Sequence, residues 1–322
     1  MASITLPAYE QVKEQSPVIR FVRRVLPIIG IAFLILFAAI EIVPFVLTVA
    51  NSFKCLQAVQ AAPQAFIPVP PFGVECRNES GASISPSEMT TGITFNPSME
   101  GYREILLSNN LPRWFLNSVI YAVAVTLLRL LLDSMAGYAL ARIKFPGNRF
   151  IFFIMLGTMM IPGIVLAIPR FIILKQIGLL NTYHGFILSL GADAFGVFLM
   201  KQFFESIPGE IEEAAQVDGA NRFVMFFRVV LPMATPALTA LTIFSFQGTW
   251  NNFMEALVII GGNVDLLNLP LGLAILKGAF GETLRWHSFL AGSVIATLPL
   301  AIVFFVFQRY FVEGISYTGL KG

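Results

Sequence analysis

Gln247, Asn251 and Glu255 recur at four-residue steps, so on a helix they would share one face, with Gly248 and Asn252 beside them. Amides both donate and accept hydrogen bonds, which suits a path that hands a hydroxyl-rich solute from group to group. The same face could instead hydrogen-bond a second helical chain, and the two readings stand level. Bond-making chemistry finds less support. His184 and His287 are too few and too far apart for a metal site, and no Ser–His–Asp spacing suggests hydrolysis. Residues 272–278 lack the second glycine before Lys277 and the hydroxyl after it that a phosphate-cradling G-x-x-x-x-G-K-[ST] loop requires. No catalytic residue, metal or cofactor is therefore expected on this chain.

The elements that must hold these residues follow from composition. Of 322 residues, 56% are hydrophobic and only 12% charged, with a mean hydropathy of +0.76. A soluble domain carries roughly 25% charge, so half the usual solvating surface is missing and the natural solvent is a bilayer. Disordered, collagen-like and disulfide-scaffold classes are excluded, and a net charge of +2 argues against a nucleic-acid partner. A membrane core of about 30 Å takes roughly 20 apolar residues per helix. Stretches 25–49, 115–139, 150–168, 185–200, 236–260 and 288–307 qualify or nearly so. Open strands cannot cross lipid, so the fold class is an all-α membrane protein with about six transmembrane helices. The fourth stretch is short and carries Asp193 beside Gly191 and Gly196, which marks a broken or late-starting helix or a local cap. The Pro162-Gly163 pair should kink the third.

Lys13, Arg20, Arg23, Arg24, Arg142, Lys144, Arg149, Lys201, Arg222, Arg228, Arg309 and Lys321 fall on one side of six crossings. By the positive-inside rule both termini are then cytoplasmic. The division is 1–24 cytoplasmic N-terminus, 25–49 first span, 50–114 extracytoplasmic loop, and 115–322 core with five further spans and a C-terminal tail. The first span is too long for a signal-peptide core and should remain as an anchor. Cys55 and Cys76 both lie in the outer loop, where an oxidising exterior would permit a disulfide, although two separate thiols fit the sequence as well. Asn78-Glu79-Ser80 forms a sequon of a kind common by chance. Arg129 and Asp133, four apart in the second span, can neutralise one another. Glu41 and Pro44 either line a vestibule or kink the first span, while Trp114, Trp286 and Tyr310 at span ends read as interface anchors.

The inner segment 202–232 differs from the rest. Pro208 opens a helix whose first turn holds Glu210 and Glu212 against the positive end of the dipole. Asp218-Gly219 breaks that helix, and Asn221 can cap a second one through Phe223, Phe226 and Phe227. Two short helices meeting at a glycine, with aromatics on show, read either as a docking knob or as an amphipathic loop on the membrane surface.

Within this segment Glu213-Ala214-Ala215, Gly219 and Val229-Val230-Leu231-Pro232 resemble the EAA loop of ABC importer permeases, with Val229 in place of the usual isoleucine. Tyr138-Ala139-Leu140-Ala141-Arg142 with Phe145-Pro146-Gly147 is similar to the carbohydrate branch, in particular the second permease of maltose- and trehalose-type systems. So are Gly178-Leu179-Leu180-Asn181-Thr182-Tyr183, Ser206-Ile207-Pro208, Trp250-Asn251 and Gly319-Leu320-Lys321-Gly322. The likeness spans about residues 100–322 and leaves the outer loop uncovered. It implies a type I importer architecture in which Glu213, Ala214, Ala215, Asp218, Gly219, Leu231 and Pro232 form the segment that couples to a separate ATPase. Glu213 would face a basic group there, and residues 317–322 would reach the ATPase pair as well. The resemblance further implies a second permease subunit, two ATPase subunits holding ATP and Mg, an extracytoplasmic sugar-binding protein and a bacterial cytoplasmic (inner) membrane. The expected function is ATP-driven import of a sugar or oligosaccharide by alternating access, with Gln247, Asn251, Asn252 and Glu255 along the pathway. An ion-coupled secondary carrier, or a permease for a polyol or glycerol phosphate, is the alternative.

Overall fold

A computed structural model describes residues 17–61, 98–107, 110–279 and 285–319, and among these every regular element is helical. The organising element is α4, Leu111–Arg142, with 32 residues and a length of about 48 Å at 1.5 Å per residue. It has Pro at its start, where the missing N–H costs nothing, and Arg142 in its last turn. Asn148 Nδ2 donates to the carbonyls of Leu140 and Ile143, each at 3.1 Å, so two of the end's free acceptors are filled as the chain turns away.

Two apolar cores form around the two halves of this helix. The first half carries Trp114, Tyr121 and Val125 into a core with α7 (Tyr183–Leu190), α13 (Met254–Ile260), α14 (Leu269–Ala279) and α15 (Trp286–Gly319). The second half presents Tyr138 to Met200 and Phe204 of α8 (Ala194–Ser206) and to Met225, Phe226 and Val230, with Leu241 of α12 (Thr235–Trp250) closing the other side. Glycine sets the approach of α4 to α8. A Cβ on Gly137 would lie 2.8 Å from the Met200 Cβ and 2.9 Å from the Lys201 nitrogen. Close backbone contact through small residues is the expected membrane packing, since lipid offers no hydrophobic drive between helices.

Among the described residues, three helices are long and apolar enough to cross a bilayer: Val25–Ser52, Leu111–Arg142 and Trp286–Gln308. The first belongs to α1 (Pro17–Ser52), whose residues from Leu26 to Val43 lie exposed around the helix, as a lipid-facing element should. The other expected crossings are bent. α5 (Asn148–Met159) and the Gly163–Gln176 segment that ends in α6 (Ala167–Gln176) meet at 98°, so the Pro162-Gly163 kink is nearly a right angle. α7 and α8 meet at 42° across Gly191–Asp193. The fifth expected span, 236–260, is not one helix: α12 ends at Trp250 and α13 begins at Met254. Asn252 causes part of this break, because its Oδ1 takes the Ala256 N–H at 3.2 Å and offers the backbone an alternative to the helix.

Trp114 is a correction to the sequence reading. It is buried, donates Nε1–H to the Val264 carbonyl at 3.1 Å, and its ring lies where a Cβ on Gly272 would stand at 2.2 Å. The side chain anchors the loop between α13 and α14 rather than an interface. Trp286 is exposed at the start of α15.

The loop beyond α1 is helical at its ends, as α2 (Leu56–Ala61) and α3 (Glu100–Leu107). α3 is stitched to α1 by a Ser52–Tyr102 hydroxyl pair at 2.8 Å and to α15 through Glu104. That carboxylate meets His287 Nε2 at 2.9 Å, Ser288 Oγ at 2.7 Å and the Arg285 guanidinium. Burial pushes the Glu104 carboxyl up, but the hydrogen bonds from Ser288 and Arg285 and the neighbouring charges of His287 and Arg285 more than offset it, leaving it below the usual carboxylate range. Cys55 is fully buried and disulfide-bonded. Cys76, the sequon at Asn78, and Leu320, Lys321 and Gly322 of the tail lie outside the described residues.

Candidate functional site

The segment after α8 begins with Ile207 in extended conformation and Pro208, which starts α9 (Gly209–Val217) with Glu210 and Glu212 in its first turn. α9 ends in a paired-hydrogen-bond C-cap. The Gly219 N–H reaches Gln216 O at 3.0 Å and the Ala220 N–H reaches Ala215 O at 3.0 Å, with Gly219 at φ +84°. Asn221 then accepts the Val224 N–H at 2.9 Å and caps α10 (Arg222–Val224). The chain continues in wide π turns over Met225–Val230, α11 (Leu231–Met233) and an 81° bend into α12.

This arrangement sorts side chains into two faces. Glu213, Ala214, Asp218, Gly219, Arg222 and Pro232 are exposed, with Val217 at 89% and Phe223 at 70%. Ala215 and Leu231 are half-buried and pack on the core around the second half of α4, the lower core, with Met225, Phe226 and Val230. Val217 and Phe223 are thus large apolar side chains left exposed in the same segment as the exposed Glu213, Asp218 and Arg222. The inward acid is Glu212, adjacent to the predicted Glu213. Its Oε1 pairs with Arg142 Nε at 3.0 Å and its Oε2 accepts from Tyr138 OH at 3.3 Å. A signal for it does exist in the sequence. Ile211, Glu212 and Ala215 share one helix face, and a carboxylate on an apolar face demands a partner.

The predicted pathway residues gather around the α12–α13 break. Gln247 and Asn251 are exposed, while Asn252 and Glu255 are half-buried. Glu255 Oε1 pairs with Arg170 Nη1 of α6 at 3.1 Å, and its Oε2 accepts from Asn252 Nδ2 at 3.1 Å. Asn268 Nδ2 donates to the Asn252 carbonyl. The single-face stripe is thus replaced by a polar cluster at a chain break that faces the Gly163 turn, 3.7 Å from Glu255 to a Cβ there. Arg170 and Asn268 escaped the sequence reading, although a lone arginine within the apolar run 164–174 is a costly placement that asks for a counter-charge.

Arg129 and Asp133 do not pair with one another. Arg129 Nε donates to the Leu190 carbonyl at 2.7 Å, and Asp133 Oδ1 accepts the Asp193 N–H at 3.0 Å. A cationic side chain therefore sits at the carbonyl end of α7 and a carboxyl oxygen at the N–H end of α8, each matched to the end of the helix it faces. The two residues hold the broken helix from both sides.

Residues 133–317 match the family described as Binding-protein-dependent transport system inner membrane component. The chain is 38% identical over 249 residues to the Arabinooligosaccharides transport system permease protein AraQ of Halalkalibacterium halodurans, covering 75% of this chain and 88% of that one. It is 37% identical over 219 residues to the Diacetylchitobiose uptake system permease protein NgcG of Streptomyces coelicolor, covering 67% and 72%. With the Trehalose/maltose transport system permease protein MalG of Thermococcus litoralis it shares 33% identity over 234 residues, covering 71% and 84%. Its fold is similar to that of a chain in the crystal structure of a bacterial ABC transporter involved in the import of the acidic polysaccharide alginate. There the TM-score is 0.69 at 24% identity, over 89% of this chain and 97% of that chain.

Proposed function

From the premise that the chain belongs to the family of binding-protein-dependent transport system inner membrane components, we propose that its cargo is a sugar or oligosaccharide and that the Gly219 turn is where ATP-derived force enters. It is a multi-pass permease component, a transport subunit rather than an enzyme. The names of AraQ, NgcG and MalG support a carbohydrate cargo. The observation that carries the second point is the two-faced segment 209–232, apolar and exposed at Val217 and Phe223, yet rooted in the lower core by Glu212, Met225 and Phe226.

In this reading a companion permease completes the pathway and two copies of an ATPase hold ATP and Mg. An extracytoplasmic binding protein delivers the cargo. The Lys and Arg residues flanking the spans support a cytoplasmic placement of both termini and of the turn. The bacterial origin of AraQ and NgcG supports a bacterial cytoplasmic membrane. Closure of the ATPase pair pushes on the turn, and the bent spans rotate to expose the pathway first outward and then inward.

The test is ATP hydrolysis by the purified complex with its binding protein across a panel of oligosaccharides. Stimulation by at least one sugar, dependent on the binding protein, is expected. Uptake that survives ATP depletion and collapses with an ion gradient would overturn the proposal. Within the same complex, Gln247→Leu with Asn251→Leu removes two amides worth about 0.5–1.5 kcal/mol each. Uptake should fall roughly five- to 150-fold, at about 1.4 kcal/mol per factor of ten, while the assembled complex is recovered in normal yield. Normal uptake would assign these amides to packing.

A further inference from the structure

Force applied at an exposed turn does nothing unless that turn is fixed to the helices that must move, and one guanidinium performs the fixing. We propose that Arg142 is a positioning residue that clamps α9 to α4 and α8, so that the three move as one body when the turn is pushed; the inference rests on the coupling role proposed above.

Arg142 is the last residue of α4. Its Nε faces Glu212 Oε1 of α9 at 3.0 Å, while Nη2 donates to the Phe204 carbonyl at 2.6 Å and to the Ile207 carbonyl. The two carbonyls belong to the end of α8 and the residue after it, where a helix runs short of internal donors; the Phe204 carbonyl also accepts the Ile207 N–H at 3.3 Å. One planar fork thus touches the ends of α4, α8 and α9 at once. A lysine, a single point charge on a flexible stem, cannot hold three directions together.

The clamp also resists rotation. Glu212 offers its second oxygen to Tyr138 OH at 3.3 Å, and Tyr138 stands one turn before Arg142 on the same face of α4. Both groups converge on the one Glu212 carboxylate, so two points a turn apart on α4 fix the position and the orientation of that carboxylate. Beneath them, the absence of a side chain at Gly137 lets the α8 backbone lie directly against α4. The clamp lies on the inner side of the segment, with Glu212 buried, while Glu213, Val217 and Phe223 stand exposed on the outer side. Docking and transmission therefore use different residues and can be tested apart.

The experiment uses the whole complex in proteoliposomes with its binding protein and reads cargo imported per ATP hydrolysed. With Arg142→Gln, the ATPase should co-purify in wild-type amount and the ratio should fall by about tenfold, within the range usual for coupling between sites. Arg142→Lys should fall between the two. Glu212→Gln, which keeps an oxygen for Tyr138, should shift the ratio in the same direction and serves if the arginine variant folds poorly. A purely structural role would lower the yield of complex and leave the ratio untouched, and that result would overturn the proposal. So would loss of the ATPase from Arg142→Gln, since docking would then depend on the clamp. Phe223→Asp checks the underlying reading separately. It should strip the ATPase from the complex, and retention there would defeat the docking role whatever Arg142 does.

Discussion

Replacing Gly219 by proline is expected to lower ATP-driven uptake by two orders of magnitude or more. The native residue sits at φ +84° and donates its N–H to Gln216 O at 3.0 Å. Proline is held near φ −65° and has no N–H, so it can neither adopt the turn nor close the cap, at a cost of about 3 kcal/mol or more. That cost is met by refolding the segment between α9 and α10, which moves Val217 and Phe223 relative to one another and breaks the surface they form. Smaller changes should follow backbone preference and not size, because nothing lies within 4 Å of a Cβ at this position. Gly219→Asn should be mild, since asparagine tolerates the left-handed region. Gly219→Ala should be worse, by about 1–2 kcal/mol of strain. Uptake and co-purified ATPase measured across Asn, Ala and Pro should therefore decline in that order. Wild-type uptake by the proline variant would show that the conformation of this turn plays no part in coupling.

The same turn shows which features a sequence exposes. Its glycine cap and the Asn221 cap act within a few residues of chain, and both were readable from residue type and spacing. Spans one, two and six were readable because long, predominantly apolar runs leave no other solvent. What escaped depends on contacts between distant segments. The Arg142–Glu212 clamp and the Arg170–Glu255 pair join residues 70 and 85 positions apart. Arg129 and Asp133, neighbours on one helix, were matched with each other when each instead serves a backbone group across the α7–α8 break. Local spacing proposes the nearest partner, and a broken helix nearby offers a better one, because its unpaired backbone groups have no water to turn to. Trp114 failed for a related reason: its position suggested an interface, and only the gap left by the distant Gly272 makes room for it in the core. Glu212 lay between, signalled by its place on an apolar face but without a named partner.

The second large effect concerns that broken helix. Asp133 is fully buried, and its Oδ1 is held by the Asp193 N–H at 3.0 Å. Its Oδ2 points at Gly196, where a Cβ would lie 2.1 Å from that oxygen and 2.9 Å from Leu241 Cδ1. Because the carboxylate is tethered, it cannot swing aside, so even one methyl group must push α8 away from α4. Overpacking of this kind costs about 1–3 kcal/mol, and a lost cap adds about 1 kcal/mol. For Gly196→Ala the sum is on the order of 2–4 kcal/mol, a large part of the stability of most folds, and Gly196→Val should leave no assembled complex. A double-mutant cycle distinguishes this collision from a general weakness of α8. Asp133→Ala alone should destabilise by removing the cap, while Asp133→Ala with Gly196→Ala should cost clearly less than the two changes added, because the new methyl then occupies space the carboxylate has left. Thermal unfolding of the purified subunit in detergent reads all three variants. Strict additivity, or Gly196→Ala at wild-type stability, would mean that α4 and α8 do not meet through this pair, and the close crossing that lets Arg142 grip both helices would lose its upper support.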